Sequence, residues 1–487
     1  MRKQAFNPYL PSFEYIPDGE PHVFEGRVYV YGSHDRFNGW AFCLGDYVTW
    51  SAPVDDLSDW RYEGVIYRKS QTPGAKKSYR MWAPDVTQGP DGKYYLYFFL
   101  GSQTYQDNAI HVAVSPSPKG PFSYLGKVHY EDGKPLGSKK GELKSFDPGV
   151  LSEDGKTYLY SGFSPKSWNP LIMGNRKPSP KGAMFYEIGS DMLTVKQGPL
   201  FIGVPGKRGA VGTPFEGHEF FEASSIRKFD GKYYFIYSSF LGHELCYAVS
   251  DFPDHGFAYG GTLVSIGDIG LHAKGTKDAL NYTGNTHGSI LRIQDRYYVF
   301  YHRQTNLKQF SRQACAEELK RGKDGRFLQA EVTSCGLNGG PLLGTGTYEA
   351  RIACNLSSEK GTRFYFIFKN RLLHRKDPYF TQTGKDREEN PDQYIANLRD
   401  GAWCAFKSFD LKNPSRLGIT YSGNARGKLL VSAERNGKPI AELPLLPTHG
   451  KKAAAEAAVL PIQGVYPLYF RYEGKGHFDF FDFTLVA

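Results

Sequence analysis

Five polar residues recur at matching places along this 487-residue chain, and four of them are carboxylic acids. Asp18 stands in Ile-Pro-Asp-Gly-Glu-Pro, Asp85 in Met-Trp-Ala-Pro-Asp-Val and Asp147 in Ser-Phe-Asp-Pro-Gly-Val. Glu222 lies in Phe-Phe-Glu-Ala-Ser, and His287 in Gly-Asn-Thr-His-Gly-Ser-Ile. A carboxylate inside an apolar, aromatic run costs free energy if it is buried without a partner. Such a residue sits at a wet edge or is held in a pocket for use. Two carboxylates facing each other across a pocket can hydrolyse a glycoside: one protonates the leaving oxygen, and the other activates water or attacks the anomeric carbon. A third charged group tunes the proton donor, because a nearby negative charge raises a carboxyl pKa. Asp18, Asp147 and Glu222 can supply that set. The same acids can also bind a central cation or cap strand ends, and spacing alone leaves both readings open.

Each of the five residues shortly precedes a copy of one β-hairpin. The copies begin at Gly26 (Gly-Arg-Val-Tyr-Val-Tyr), Gly92 (Gly-Lys-Tyr-Tyr-Leu-Tyr), Gly155 (Gly-Lys-Thr-Tyr-Leu-Tyr), Gly231 (Gly-Lys-Tyr-Tyr-Phe-Ile-Tyr) and Asp295 (Asp-Arg-Tyr-Tyr-Val-Phe-Tyr). Asp-Gly between two β-prone runs, as at Asp230-Gly231, is a strong short-range hairpin signal. Five copies with a period of about 65 residues fit a five-bladed β-propeller in which each unit is a four-stranded blade. Equivalent strands of a closed ring point at the same place, so the five polar groups are expected to converge on its axis. Ala314–Lys320 reads as a further strand, and residues 131–144 and 174–184 read as surface loops.

After Cys335 the repeat fades into a Gly-rich stretch, Gly336–Gly346, with the composition of a linker. Short strands then resume without the repeat, at Arg363–Phe368, Lys428–Ser432 and Tyr466–Tyr472. Ala453–Ala458 is too short for a helix of its own and reads as strand or loop. The expected organisation is all-β: residues 1–336 a five-bladed propeller carrying the chemistry, and residues 337–487 a jelly-roll-like β-sandwich.

Composition agrees with this. Aromatics make up 15% of residues, with 34 Tyr and 34 Phe, which suits sheets and sugar-binding surfaces. The net charge is +10, but basic and acidic residues are interspersed, and pairs such as Lys139-Lys140 and Lys451-Lys452 look like solvated loops. A nucleic-acid partner is therefore not expected. No run is long and apolar enough for a membrane helix, so no membrane partner is expected either. Met1–Pro8 lacks an apolar leader, and the six cysteines are scattered as reduced thiols would be. The expected location is cytoplasmic.

Taken in order, these motifs resemble glycoside hydrolase family 43 over residues 7–336: Asn7-Pro-Tyr-Leu-Pro, Trp82-Ala-Pro-Asp85, Phe146-Asp-Pro148, Glu222 before its hairpin and Thr286-His-Gly288. The resemblance implies a five-bladed propeller with inverting arabinofuranosidase, xylosidase or arabinanase activity. It implies Asp18 as general base, Asp147 as modulator and orienter, and Glu222 as general acid. It further implies His287 as an axial histidine near a water or metal ion, and Arg303 as an arginine reaching toward the sugar and the modulator. The family usually has Asp-Pro at the base; here the stretch is Asp18-Gly19-Glu20-Pro21, so Glu20 competes with Asp18. Trp82 and Phe146 are expected as walls of a sugar pocket, His34, Asp35 and Trp40 as glycan contacts, and Asp85 as structural.

The C-terminal part resembles carbohydrate-binding module family 6 at Asp400–Asp410 and Gly474–Phe483, without that family's usual sugar-binding aromatics and late Asn. Trp403 is expected in the core and the sandwich in a structural role. The whole reading is an exo-acting inverting glycosidase that takes α-L-arabinofuranosyl or β-D-xylosyl residues from oligosaccharides. It requires no cofactor and leaves room for a structural calcium near the axis. A non-catalytic glycan-binding propeller with a degenerate base is the alternative. The oligomeric state is not legible.

Overall fold

A computed structural model of the chain describes residues 3–101, 109–138, 142–165, 177, 181–365, 372–388 and 392–487. Nearly all regular structure is β-strand; among the described residues helix is confined to three single 3₁₀ turns. The first sheet contains β1 (Glu20–Phe24), β2 (Arg27–Tyr31), β3 (Tyr47–Pro53) and β4 (Arg61–Tyr67). The second contains β5 (Arg80–Gln88), β6 (Tyr94–Gly101), β7 (Ala109–Ser115) and β8 (Ser123–Lys127). The third holds β9 (Gly149–Glu153), β10 (Lys156–Ser161), β11 (Met184–Ile188) and β12 (Val195–Phe201). The fourth holds β13 (Phe220–Phe229), β14 (Lys232–Ser239), β15 (Glu244–Ser250) and β16 (Ala258–Ser265). The fifth has only β17 (Ser289–Ile293), β18 (Arg296–Arg303) and β19 (Gln313–Leu319).

Each sheet is an antiparallel meander whose first hairpin is one copy of the repeat. Glu25-Gly26, Asp154-Gly155 and Asp230-Gly231 all have positive φ at both turn residues, the backbone that a tight primed hairpin turn demands. Second strands such as β14 are buried along almost their whole length, because a sheet lies against each face. That is why their sequences run continuously apolar and aromatic rather than alternating.

The first strands touch in sequence, β1 to β5, β5 to β9, β9 to β13, β13 to β17, and β17 back to β1. Five apolar clusters fill the spaces between successive sheets. Tyr31 meets Phe98, Tyr97 meets Leu159, and Tyr160 meets Phe235. Ile236 meets Val299, and the fifth cluster closes the series with Phe300 beside Val28. A Cβ on Gly149 would come within 2.6 Å of Ser224 O, and one on Gly288 within 1.8 Å of Phe300 O. Glycine permits the close approach of the inner strands β9 and β13 in the first case and of the chain entering β17 to β18 in the second.

A four-stranded fifth unit was the expectation, and the described residues hold three strands there. The N-terminal segment covers the outer edge instead. Tyr9 N donates to Ala314 O, and the Asn7 amide hydrogen-bonds both N and O of Ala316. A side chain thus takes over backbone pairing, which satisfies the edge without a strand.

The C-terminal part forms two six-stranded sheets. One joins Leu342–Leu343, Asn355–Ser357, Trp403–Lys412, Arg426–Ser432, Pro439–Leu445 and Gln463–Lys475. The other joins Gly346–Glu349, Tyr379–Gln382, Gln393–Arg399, Arg416–Gly423, Ala453–Ala458 and His477–Val486. A single apolar cluster containing Phe406, Phe470, Phe480 and Phe483 draws on both. Trp403 is buried beneath the Arg435 guanidinium. Residues 363–365 form no strand, and the remainder of that expected strand lies outside the described residues. Buried Lys407 ties this part to the fifth-sheet side, at 3.1 Å from Asp268 and 2.8 Å from Glu331.

All six cysteines are unpaired. The loops expected at 131–144 and 174–184 fall partly outside the described residues, but Lys144 departs from that reading because it is fully buried.

Candidate active site

Asp18, Asp147 and His287 each stand two residues before the first strand of their sheet, and Glu222 lies at the start of β13. The backbone turns sharply at these points: φ is +57° at Asp18, +47° at Asp147 and +67° at Ala223. Left-handed non-glycine residues cost about 1–3 kcal/mol each and persist where surrounding structure over-determines them. Here the turn aims each side chain along the ring interior.

His287 sits at the centre. Its Nδ1 lies 4.0 Å from Asp18 Oδ1 and 3.8 Å from Asp147 Oδ2, and its Nε2 lies 3.5 Å from Glu20 Oε1. Ala223 N donates to Asp147 Oδ2 at 3.2 Å, which links the third sheet's acid to the backbone beside Glu222. Asp18 receives Arg312 Nη1 at 2.8 Å and the Ser33 hydroxyl. Its own N–H donates to His302 Nδ1, whose Nε2–H is given to Asn285 O. His302 is therefore neutral, and its burial pushes the imidazole down to about 3.

The carboxyls are driven apart in proton affinity. Burial alone would raise Asp18, but Arg312, His302, His287 and the Ser33 hydrogen bond outweigh it and hold Asp18 below its ordinary value. Glu222 moves the other way. Burial, then the Asp147 charge, raise it well above the usual carboxyl range against the pull of His287 and Lys144. Asp147 is raised too, by burial and by Asp18, against His287. Burial would lower His287, yet Glu20, Asp147 and Asp18 raise it to about 9. One acid ready to accept a proton beside one that holds a proton is the division of labour that acid–base catalysis uses.

Asp85, the fifth member of the series, does not join this group. It binds His22 Nε2 at 2.7 Å and Val150 N at 2.8 Å, deeper between the first three sheets. Glu20 also lies deeper. Its Oε2 receives Arg227 at 2.6 Å and Ser225 at 2.8 Å, and it is 1% exposed. That environment locks its carboxylate away from sugar and from water.

Four expected sugar contacts, Arg303, His34, Asp35 and Phe146, are corrected by the geometry. Arg303 turns away from the acids: Nη1 donates to Ala353 O at 2.9 Å, Nη2 to Arg351 O at 2.7 Å, and the guanidinium stacks 3.9 Å from the Phe380 centroid. Alternation along β18 explains this, since neighbouring His302 takes the inward face. His34 is buried, with Nδ1 against Asp46 O and Nε2 against Glu14. Phe146 is 4% exposed and ringed by Trp82, Phe99 and Phe163, so it packs behind the site. Trp82 is half-buried, next to Phe42. Trp40 is 71% exposed with Arg80 over its ring, and Asp35 is buried.

Two functional residues escaped the sequence reading. Arg312 holds Asp18 and Asp35 together. Lys144 lies under the aromatic wall, 4.2 Å from the Phe163 centroid and 4.6 Å from that of Phe146, and its charge acts on both Asp147 and Glu222. Its place three residues before Asp147 was the available signal.

A calcium ion near the axis would find few ligands. His287 Nε2 and Glu20 Oε1 are buried without hydrogen-bond partners, but the other Glu20 oxygen is already neutralised by Arg227. Calcium takes six to eight oxygens. This side-chain set does not fit one.

Buried carboxyls with split proton affinities, gathered around one imidazole inside a ring of sheets, are the equipment of a glycoside hydrolase. The chain belongs to the glycosyl hydrolases family 43, whose sequence model matches residues 22–327. That span opens just after Asp18, so the assignment of Asp18 rests on geometry. The chain is 48% identical over 490 residues to a xylosidase/arabinosidase of Thermoclostridium stercorarium, covering 100% of each. It is 30% identical to a xylosidase/arabinosidase of Bacteroides ovatus, over 66% of this chain and 97% of that one. The crystal structure of a family 43 arabinoxylan arabinofuranohydrolase from Bacillus subtilis, in complex with cellotetraose, matches 98% of this chain and 96% of its own. The TM-score is 0.51 at 22% identity, a likeness of fold.

Proposed function

We propose that this enzyme removes terminal pentose residues from oligosaccharides by a single displacement with inversion. α-L-Arabinofuranosides are the first choice of substrate and β-D-xylosides the second, in keeping with the names of its full-length and partial relatives. Glu222 gives its proton to the glycosidic oxygen. Asp18 takes a proton from a water that attacks the anomeric carbon from the opposite face. Asp147 keeps Glu222 protonated until the leaving oxygen needs the proton. Inversion requires room for that water, with carboxyls about 6.5–9.5 Å apart.

The observation that carries this reading is the buried acid cluster around His287, in which Asp18 is gripped by Arg312 Nη1 at 2.8 Å and Asp147 takes the N–H beside Glu222 at 3.2 Å. Arg312 draws the Asp18 pKa down, and burial and Asp147 drive that of Glu222 up. Asp18 is preferred to Glu20 as the base because Glu20 is spent on Arg227 and Ser225. The five sheets are read as blades of a propeller with the acids at its axis, and the two C-terminal sheets as a structural sandwich docked beside it. No metal is assigned a role.

The test is hydrolysis of 4-nitrophenyl α-L-arabinofuranoside and β-D-xyloside by the wild type and by Glu222→Gln and Asp18→Asn. The account expects release of the pentose by the wild type and losses of about 10²–10⁴ in each variant. A wild type that binds pentosides and hydrolyses neither would instead mark a glycan-binding protein.

A further inference from the structure

The residues that hold the Asp18 region are themselves held by the C-terminal part of the chain. Glu14 is fully buried; its Oε2 accepts from Trp50 Nε1 at 2.8 Å. Its Oε1 accepts from Arg387 Nη1 at 2.7 Å. Arg387 Nη1 also lies 3.0 Å from His34 Nε2. His34 Nδ1 hydrogen-bonds Asp46 O at 2.9 Å and its Nε2 hydrogen-bonds Glu14 Oε1 at 2.9 Å. The Arg387 guanidinium lies against both members of the Glu14–His34 pair. Next to it, Asp386 Oδ1 accepts from Phe37 N at 2.7 Å. The Tyr15 hydroxyl donates to Gln382 Oε1 and accepts from Gln393 Nε2.

These grips fall on two segments, 14–15 and 34–37, and both lead to the base. Asp18 follows the first by three residues. The second carries Asp35, whose N–H donates to Tyr15 O at 3.0 Å and whose carboxylate binds Arg312, the partner of Asp18. Ser33, hydrogen-bonded to Asp18, immediately precedes it.

We propose that Arg387, with Asp386 beside it, is a positioning residue for catalysis, acting through Glu14, His34 and Asp35 to fix the carboxylate of Asp18. The C-terminal part is then a component of the catalytic apparatus and not an appendage. This rests on Asp18 being the base.

The experiment uses the full-length chain with Arg387→Ala, Arg387→Lys and Asp386→Asn, measuring kcat, KM, the pH profile and Tm on the arylpentosides. A displaced base costs rate more than binding, so kcat should fall about 10-fold or more in Arg387→Ala while KM stays within about twofold. Arg387→Lys should recover part of the loss. The acid limb of kcat/KM should move upward. The charged and titratable groups that act on Asp18 are Arg312, His302, His287, Asp147, Glu222, Cys43 and Tyr47, with the Ser33 hydroxyl hydrogen-bonded to it, and none is on the 386–387 segment. A moved limb therefore reports a changed setting of Asp18. A lowered Tm with kcat and the limb unchanged would overturn the proposal. Should Arg387→Ala not fold, Arg387→Lys and Asp386→Asn decide on the same two readouts. Activity surviving in Asp18→Asn would instead sink the base assignment. A dead Asp18→Asn with unaltered Arg387 variants sinks only the positioning role.

Discussion

Arg312 donates from Nη1 to Asp18 Oδ1 at 2.8 Å while its Nε and Nη2 hold the two oxygens of Asp35 at 2.8 and 3.1 Å. One guanidinium thereby sets both the charge and the direction of Asp18, the proposed base. Lysine is a point charge and cannot make the forked contact. Arg312→Lys should lower kcat/KM by about 10²-fold, the cost of a displacement near 1 Å. Arg303→Lys, on β18 and turned away from the acids toward Arg351 and Phe380, should leave kcat within about twofold, since its side chain touches none of the acids. Steady-state kinetics of the two variants side by side checks the pair.

The pH profile of kcat/KM should be a bell whose limbs have been pushed apart. Asp18 must be ionised, and its lowered pKa puts the acid limb below the ordinary carboxyl range. Glu222 must be protonated, and its raised pKa puts the basic limb well above that range. In Glu222→Gln, residual turnover of a substrate with a good leaving group should lose the basic limb and keep the acid one. A basic limb that survives unchanged would assign it to another group.

Stability should depend on Glu222 with a definite sign. Folded Glu222 binds its proton more tightly than the unfolded chain does, so stability falls as pH rises from the ordinary carboxyl pKa toward the raised one. Removing the charge removes this loss. Glu222→Gln should gain on the wild type between about pH 5 and pH 8, by about 1.4 kcal/mol for each pKa unit of the shift. Thermal melts of both proteins across that range, read as the difference in Tm, check it.

Metal removal should have little effect. The His287–Glu20 pair lies beside Arg227 and lacks the oxygens of a calcium site. Dialysis against a chelator should leave kcat within about twofold and Tm within a few degrees. Recovery of lost activity on adding calcium would contradict this.

How much was legible follows from how local each feature is. The five hairpins are short-range objects, and their Asp-Gly or equivalent turns and double-faced burial are written in a few consecutive residues. The acids Asp18, Asp147 and Glu222 and the imidazole of His287 hold fixed places before those hairpins, so their convergence could be anticipated. Arg312 could not be found this way. It closes an excursion between β18 and β19 whose path is set by contacts with Arg36, Asn38 and Gly39 in the loop between β2 and β3. Arg303 was the wrong arginine because adjacent residues of a strand face opposite ways, and His302 had the inward side. The missing fourth strand of the fifth sheet is replaced by Asn7, more than three hundred residues away in sequence. Lys144 sits in a Lys-rich stretch that reads as solvated, and packing places it beneath Phe146 and Phe163.

The central claim is that Glu222 and Asp18 act in one displacement from opposite faces of the sugar. Proton NMR of the anomeric signal during the first minutes of hydrolysis by the wild type tests it most directly, read before mutarotation scrambles the product. The account predicts that the first pentose released has the anomeric configuration opposite to that of the substrate. Release with the configuration retained would contradict it.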